Sequence, residues 1–200
     1  MPLEETLRAL DDMVKQGKIL HIGASNFAAW QVAKALGISA AKGLARFECV
    51  QPMYNLIKKN IETELLPMAE SENVAVIPYN PLAGGMLTGK YGLKKDETIT
   101  GRLNDSAMYN KRYGNEDMLS TADRFVSLAG EWGHDPVALA IAWVNAHPAV
   151  TSPILGARNV DQLKGSLGSV DIDMTPELYA AVAGLTPPAP SATGHDHEGR

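Results

Sequence analysis

Short apolar segments alternate with segments of helical periodicity along this chain, and that alternation limits its fold more than any other feature. "PLEETLRALDDMVKQGK" repeats Leu3, Leu7, Leu10 and Val14 at helical spacing, with Glu4 and Glu5 in the first turn and Gly17 at the end. "KILHIGAS" then reads as a strand, "AAWQVAKALG" as a helix and "RFECVQ" as a second strand. Helical periodicity returns in "IETELLPMAESE", and "NVAVIPY" is the third strand. A long polar loop leads to two consecutive helices, "MLSTADRFVSLAGEWG" and "DPVALAIAWVNAH". The fourth strand, "TSPILGA", precedes helices around "NVDQLKGSLG" and "TPELYAAVAGL". This order predicts an α/β fold: four parallel strands in sequence, ending near Ser25, Gln51, Tyr79 and Leu155, joined by right-handed crossovers. The strands are short and apolar, as expected when both faces of a sheet are covered.

Two hundred residues, 45% of them hydrophobic, suffice for one domain with a substantial core. The expected domain is 1–185. The remainder, 186–200, is rich in proline and then polar, and reads as a disordered tail. A net charge of −5 argues against a nucleic-acid or anionic-membrane surface. No apolar run approaches the roughly 18 residues of a membrane span, and "MPLEETLRAL" does not read as a signal peptide. A single cysteine, Cys49, excludes an internal disulfide and fits a reducing, cytoplasmic setting.

Each strand ends in residues that a core does not require: "GASNF", "VQPMYN", "PYNPLAGG" and "LGARN". In parallel α/β folds ligands bind beyond the carboxyl ends of the strands, so these four tips converge. Taken singly, each has a structural explanation of equal weight. Asn26 and Asn159 could cap the helices that follow them. Tyr79 could be a packed aromatic with a solvated hydroxyl. Together they suit a nicotinamide dinucleotide. Ser25, Asn26 and Gln51 offer neutral donors and acceptors for a carboxamide, and Tyr79 offers a flat ring for stacking. Gly84, Gly85 and Gly89 let the backbone approach a pyrophosphate. Lys90 and Arg158 could meet phosphate, Arg158 in a two-point contact with a 2′-phosphate. The Gly-x-Gly-x-x-Gly fingerprint is absent from the sequence.

"GKILHIGASNF", "QPMYNLIKKNIETELLPMAESENVAVIPYNPLAGGMLTGKY" and "SPILGARNVDQLKGSLG" resemble the aldo-keto reductases, in the branch related to potassium-channel β-subunits. The resemblance runs from the first residues to about Leu185. It implies the C-terminal half of a (β/α)8 barrel, NADPH extended across the strand tips, and reduction of a small aldehyde or ketone. It further implies that Ser25, Asn26 and Gln51 hold the carboxamide and that Tyr79 stacks beneath the nicotinamide. Asn80, Pro81, Leu82, Gly84 and Lys90 would follow the pyrophosphate; Gly156, Arg158, Gln162 and Ser166 would hold the adenosine 2′-phosphate end. Ser166 stands where the family often has an asparagine against adenine. The loop from Gly92 to Met118 is expected to be a flap over the cofactor.

A closed barrel needs eight strands and typically ~250 residues. The family's catalytic Asp, Tyr, Lys and His precede a segment like "TPLEETLRALDDLV", and this chain starts at the counterpart of that segment. No local residue is expected to replace them. His21 reads as a packed or capping histidine within a strand. His134 and His147 fall at helix ends, and His195 and His197 in the tail. Cys49 reads as a small buried thiol. The leading expectation is therefore the cofactor-binding half of an NADP-dependent reductase, inactive alone. The alternative is a non-catalytic nucleotide-binding or interaction module. Its open edges would pair half-barrels into a homodimer.

Overall fold

Helix α1 spans Leu3–Lys15 in the computed structural model, which describes residues 2–91 and 106–192. Its apolar stripe buries Leu7 completely and packs Leu10 and Val14 on the same core. On the polar side Arg8 meets Glu4 one turn away at 2.7 Å. The chain continues through β1 (Ile22–Ser25), α2 (Ala29–Lys42), β2 (Phe47–Gln51), α3 (Leu65–Ser71) and β3 (Ala75–Val76). A tight turn of 3-10 character, Ala83–Thr88, follows β3. Then come α4 (Ala107–Tyr113), α5 (Glu116–Glu131), α6 (Pro136–Asn145), α7 (Val160–Leu167) and α8 (Pro176–Ala183). The starts of the last four are set by sequence. Asn115, Asp135, Asn159 and Thr175 each accept a backbone N–H of the first turn.

The described strands form one parallel sheet in the order β1-β2-β3. Between β1 and β2, Ile22 faces Phe47 but Gly23 faces Cys49, so Glu48 is an extra, bulged residue. A side chain at Gly23 would run into the Cys49 thiol, and the close approach there depends on glycine.

The sequence predicts four strands, and the fourth is not one. Thr151 donates its N–H to Val76 O at 2.8 Å and Ile154 to Pro78 O at 2.8 Å, so this segment does run beside β3. The return bonds are missing because Pro78 has no N–H, and the Val76 N–H takes the Thr151 hydroxyl at 3.0 Å instead of a carbonyl. The third strand is also shorter than "NVAVIPY". Ile77 donates to Val50 O at 3.0 Å, but the bond back to its carbonyl would come from Pro52, which has no N–H. Pairing resumes at an isolated parallel bridge, Met53 to Tyr79.

Coverage differs from expectation too. Val74, Val76 and Pro78 are buried while Ala75, Ile77 and Tyr79, pointing the other way, are only partly so. In β1, Ile22 and Ala24 are buried while Gly23 and Ser25 are exposed. One face of the sheet carries the helices and the core, which includes Val32, Leu36, Phe125, Leu139 and Trp143. The other face alternates out of it. α6 lies deepest, with every residue from Ala138 to Val144 buried. Its Trp143 ring stacks on Tyr179 at 5.6 Å.

His21 is exposed and precedes β1 rather than lying within it. Of the expected Gly92–Met118 flap, residues 92–105 lie outside the described residues, and the rest is α4 and the start of α5 rather than loop. Beyond α8, Arg124 donates to Leu185 O at 2.8 Å and the Thr63 hydroxyl to Pro190 O at 2.9 Å. Residues 193–200, with His195 and His197, lie outside the described residues. No described helix is long and apolar enough to cross a membrane.

Candidate functional site

Ser25 ends β1 directly opposite Gln51 at the end of β2. Its hydroxyl lies 2.9 Å from the Gln51 carbonyl and 3.2 Å from Gln51 Oε1, and donates into that pair. The next residue, Asn26, takes a left-handed backbone (φ 58°), which asparagine tolerates better than most side chains. Asn26 Nδ2 donates to Ser25 Oγ at 3.1 Å, and Asn26 Oδ1 accepts the Tyr79 hydroxyl at 2.8 Å. Four residues from three strand tips thus form one hydrogen-bonded chain: Tyr79, Asn26, Ser25, Gln51. Asn26 does not cap α2. That position is Ala28, whose N–H is held by Gln31 at 2.8 Å. Gln51 Nε2 makes no hydrogen bond among the described residues, and Asn26 Nδ2 has a second N–H. Beside the partly buried Tyr79 ring, those donors fit the carbonyl of a nicotinamide carboxamide.

The glycine turn is held in an unusual conformation. Asn80 (φ 65°), Ala83 (φ 50°), Gly84 (φ 72°), Gly85 (φ 100°) and Gly89 (φ 80°) are all left-handed. Gly84 N donates to Asn80 Oδ1 at 2.7 Å, Ala83 N to Asn80 O at 3.0 Å and Gly85 N to Leu82 O at 2.9 Å. These amides are committed within the turn, so the turn's shape, and not a row of free N–H groups, is what it can offer a ligand. A Cβ on Gly84 would lie 2.7 Å from Tyr109 Cδ1 of α4. A Cβ on Gly85 would lie 3.2 Å from Lys90 Cε. Lys90 therefore folds back over the turn, with Nζ 4.7 Å from the centre of the Tyr91 ring. Pro81 is buried and Leu82 partly buried.

Two residues that the sequence does not single out hold this turn in place. Asn55, fully buried, donates from Nδ2 to Asn80 O at 3.0 Å and to the Tyr113 hydroxyl at 3.1 Å. Tyr113, also fully buried, accepts from Asn80 Nδ2 at 2.7 Å and donates to Met53 Sδ at 3.2 Å. Burial pushes its pKa up to about 12, so the hydroxyl keeps its proton at neutral pH.

Gly156, Arg158, Gln162 and Ser166 gather at and along α7. Gln162 Oε1 accepts the Arg158 N–H at 3.0 Å while Gln162 N donates to Asn159 Oδ1 at 2.9 Å, so Asn159 is the helix cap. Gly156, Arg158 and Gln162 are exposed, and the Arg158 guanidinium enters no ion pair among the described residues. Ser166 is buried and donates its hydroxyl to Gln162 O at 3.1 Å, within its own helix. An adenine contact there would have to use the oxygen as an acceptor.

His147 is structural: its Nδ1 accepts Ala149 N at 3.2 Å, and burial pushes its pKa down. Tyr54 donates to Glu62 at 2.6 Å, and burial holds that hydroxyl far above its usual range. A cleft of about 240 Å3 between Leu56–Asn60, the start of α5 and Thr186–Pro190 is lined by none of the strand-tip residues. Cys49 is partly buried on the less covered face of the sheet.

A family model described as the aldo/keto reductase family matches residues 1–186. The chain is 31% identical over 186 residues to "Uncharacterized oxidoreductase YrpG" of Bacillus subtilis (strain 168), covering 93% of this chain and 55% of that protein. It is 32% identical over 176 residues to "Versiconal hemiacetal acetate reductase" of Aspergillus parasiticus, covering 88% and 51%. To the human "Aldo-keto reductase family 7 member A3" it is 31% identical over 184 residues, covering 85% and 56%. The chain spans about half the length of these relatives.

Proposed function

The chain belongs to the aldo/keto reductase family, and from that premise we propose that it is the NADPH-binding part of an oxidoreductase that converts an aldehyde or ketone to an alcohol. The observation that carries the reading is the hydrogen-bonded chain Tyr79–Asn26–Ser25–Gln51 across three strand tips. A bound nicotinamide supplies the hydride. The residues' own work is placement. Gln51 Nε2 and Asn26 Nδ2 take the carboxamide oxygen, and the Tyr79 ring supports one face of the nicotinamide. The turn Asn80–Pro81–Leu82 with Gly84 shapes the pyrophosphate track, and Lys90 supplies its positive charge. Gly156 gives backbone access, and Arg158, oriented through Gln162, engages the 2′-phosphate with Ser166 behind it.

The sheet is proposed as one side of a (β/α)8 barrel, with its less covered face turned inward. Carbonyl reduction needs an acid within hydrogen-bond reach of the carbonyl oxygen. Tyr79 is the tip residue with a hydroxyl on an aromatic ring, and its proton is committed to Asn26 Oδ1. These 200 residues are therefore proposed to bind the dinucleotide but to reduce carbonyls only near background, in the cytoplasm.

The test is to titrate NADPH and NADH into the wild type and Arg158→Ala, and to assay aldehyde reduction on the same samples. NADPH should lose roughly tenfold or more in affinity in the variant and NADH little, because a charge-assisted contact to the extra phosphate is the difference. Equal losses would remove the phosphate assignment, and robust turnover by the wild type would overturn the missing-acid argument. A second reading, a self-associating binding module without catalysis, is favoured by the exposed Leu20 (81%) and Val170 (80%) and by the less covered sheet face. Light scattering that reports a monomer would count against it.

A further inference from the structure

We infer that Tyr113 is a positioning residue for the dinucleotide: from α4, its hydroxyl fixes the turn from Asn80 to Gly85 that the proposed pyrophosphate follows. The inference rests on the NADPH reading, and its basis is the geometry of one buried oxygen.

That oxygen is used to capacity. It accepts from Asn80 Nδ2 (2.7 Å) and Asn55 Nδ2 (3.1 Å) and donates its proton to Met53 Sδ (3.2 Å). Met53 and Asn55 follow β2; Asn80 follows β3 next to Tyr79. One hydroxyl therefore ties the ends of two strands to a helix that is 33 residues away from Asn80 in sequence. The bond to Asn80 is the consequential one. With Nδ2 held by Tyr113, Asn80 Oδ1 is aimed at Gly84 N (2.7 Å), which closes the turn. Asn80, Ala83, Gly84 and Gly85 all sit in the left-handed region, and a run of such residues persists only where its surroundings over-determine it. α4 supplies a second restraint, because Tyr109 lies against the bare Cα of Gly84. Tyr109 and Tyr113 stack at 6.3 Å, so the two restraints on the turn are packed against each other.

Without the Tyr113 hydroxyl, the Asn80 amide loses the partner that orients it, and the turn samples other shapes. A site that is competent for only part of the time binds more weakly by that fraction. Both dinucleotides contain the pyrophosphate, so NADPH and NADH should weaken together, unlike the selective loss in Arg158→Ala.

The experiment uses Tyr113→Phe, which keeps the buried ring and removes one oxygen. Amide exchange is read at Gly84 without nucleotide, with Ile77, whose N–H lies in the sheet ladder on Val50 O, as the internal reference. Gly84 should exchange at least about fivefold faster with Ile77 unchanged, and NADPH and NADH affinities should both fall about tenfold. Equal acceleration at Gly84 and Ile77 would make the effect global and overturn the positioning role. Wild-type nucleotide affinity in Tyr113→Phe would overturn this inference alone. Failure of the wild type to bind NADPH would overturn the functional reading, and this inference with it.

Discussion

Replacing Asn55 with alanine should remove a large share of the stability of this fold, and the size follows from counting what each lost partner has left. The fully buried side chain makes four hydrogen bonds: to Asn80 O and the Tyr113 hydroxyl from Nδ2, and from the Ile57 and Lys58 N–H groups to Oδ1. Three of those partners keep another bond. Lys58 N still has Asn55 O at 3.0 Å, Asn80 O still has Ala83 N at 3.0 Å, and the Tyr113 hydroxyl still has Asn80 Nδ2 at 2.7 Å. The Ile57 N–H has no second acceptor among the described residues. Three replaceable bonds are worth about 1 kcal/mol each, and an orphaned donor about 1–3 kcal/mol. The expected loss is roughly 4–6 kcal/mol, against a typical total of about 5–15 kcal/mol. For a chain of this size that corresponds to a melting temperature lower by roughly 10–20 °C. Urea denaturation followed by circular dichroism gives the midpoint, and an unchanged slope would show that the denatured state is the same. A loss below about 1 kcal/mol would refute the reasoning, because the four bonds could not then be holding the turn.

Thr151→Val should cost about 1–3 kcal/mol, since it takes from the fully buried Val76 N–H its only acceptor among the described residues while keeping the side-chain volume. Thr151→Ser, which keeps the oxygen, should recover most of that in the same urea assay. Asp11→Asn should flatten the acid limb of the stability profile. The Lys15 ammonium, and then the Ala45 N–H at 2.9 Å, hold the Asp11 carboxyl below the usual carboxylate range. A depressed native pKa means that the unfolded chain takes up the proton first. The contribution is therefore present above the unfolded carboxylate range and lost as pH falls through the native one, from about pH 5 downward. An unchanged acid limb in Asp11→Asn would remove Asp11 from that account.

Local rules made much of the helical layer legible. The stripe of Leu3, Leu7, Leu10 and Val14 marks α1, and Asp135-Pro136 and Thr175-Pro176 mark the starts of α6 and α8 as cap and first-turn residues. Asn159 was readable as a cap and is one. Strand edges were less legible, because apolar composition does not reveal which N–H a ladder needs. Pro52 and Pro78 interrupt bonds to neighbours that only the folded sheet brings beside them. The tip residues Ser25, Asn26, Gln51 and Tyr79 stood out because a core does not require them, and the fold links them. The support behind them could not be read. Asn55 and Tyr113 are 58 residues apart, and neither sits in a pattern that distinguishes a hydrogen-bonding hub from an ordinary turn or core residue. Helix α4 is similarly obscured by the polar stretch around it.

The central claim is that the nicotinamide end of NADPH lies on the strand tips against Tyr79. Intermolecular nuclear Overhauser effects between the oxidised cofactor NADP+ and the protein test it most directly, and they tolerate weak binding. The account predicts cross-peaks from the nicotinamide ring protons to the Tyr79 ring, and from the adenine protons to the region of Arg158 and Gln162 at the start of α7. Adenine contacts at Tyr79, or nicotinamide contacts confined to residues away from Ser25, Asn26, Gln51 and Tyr79, would contradict it.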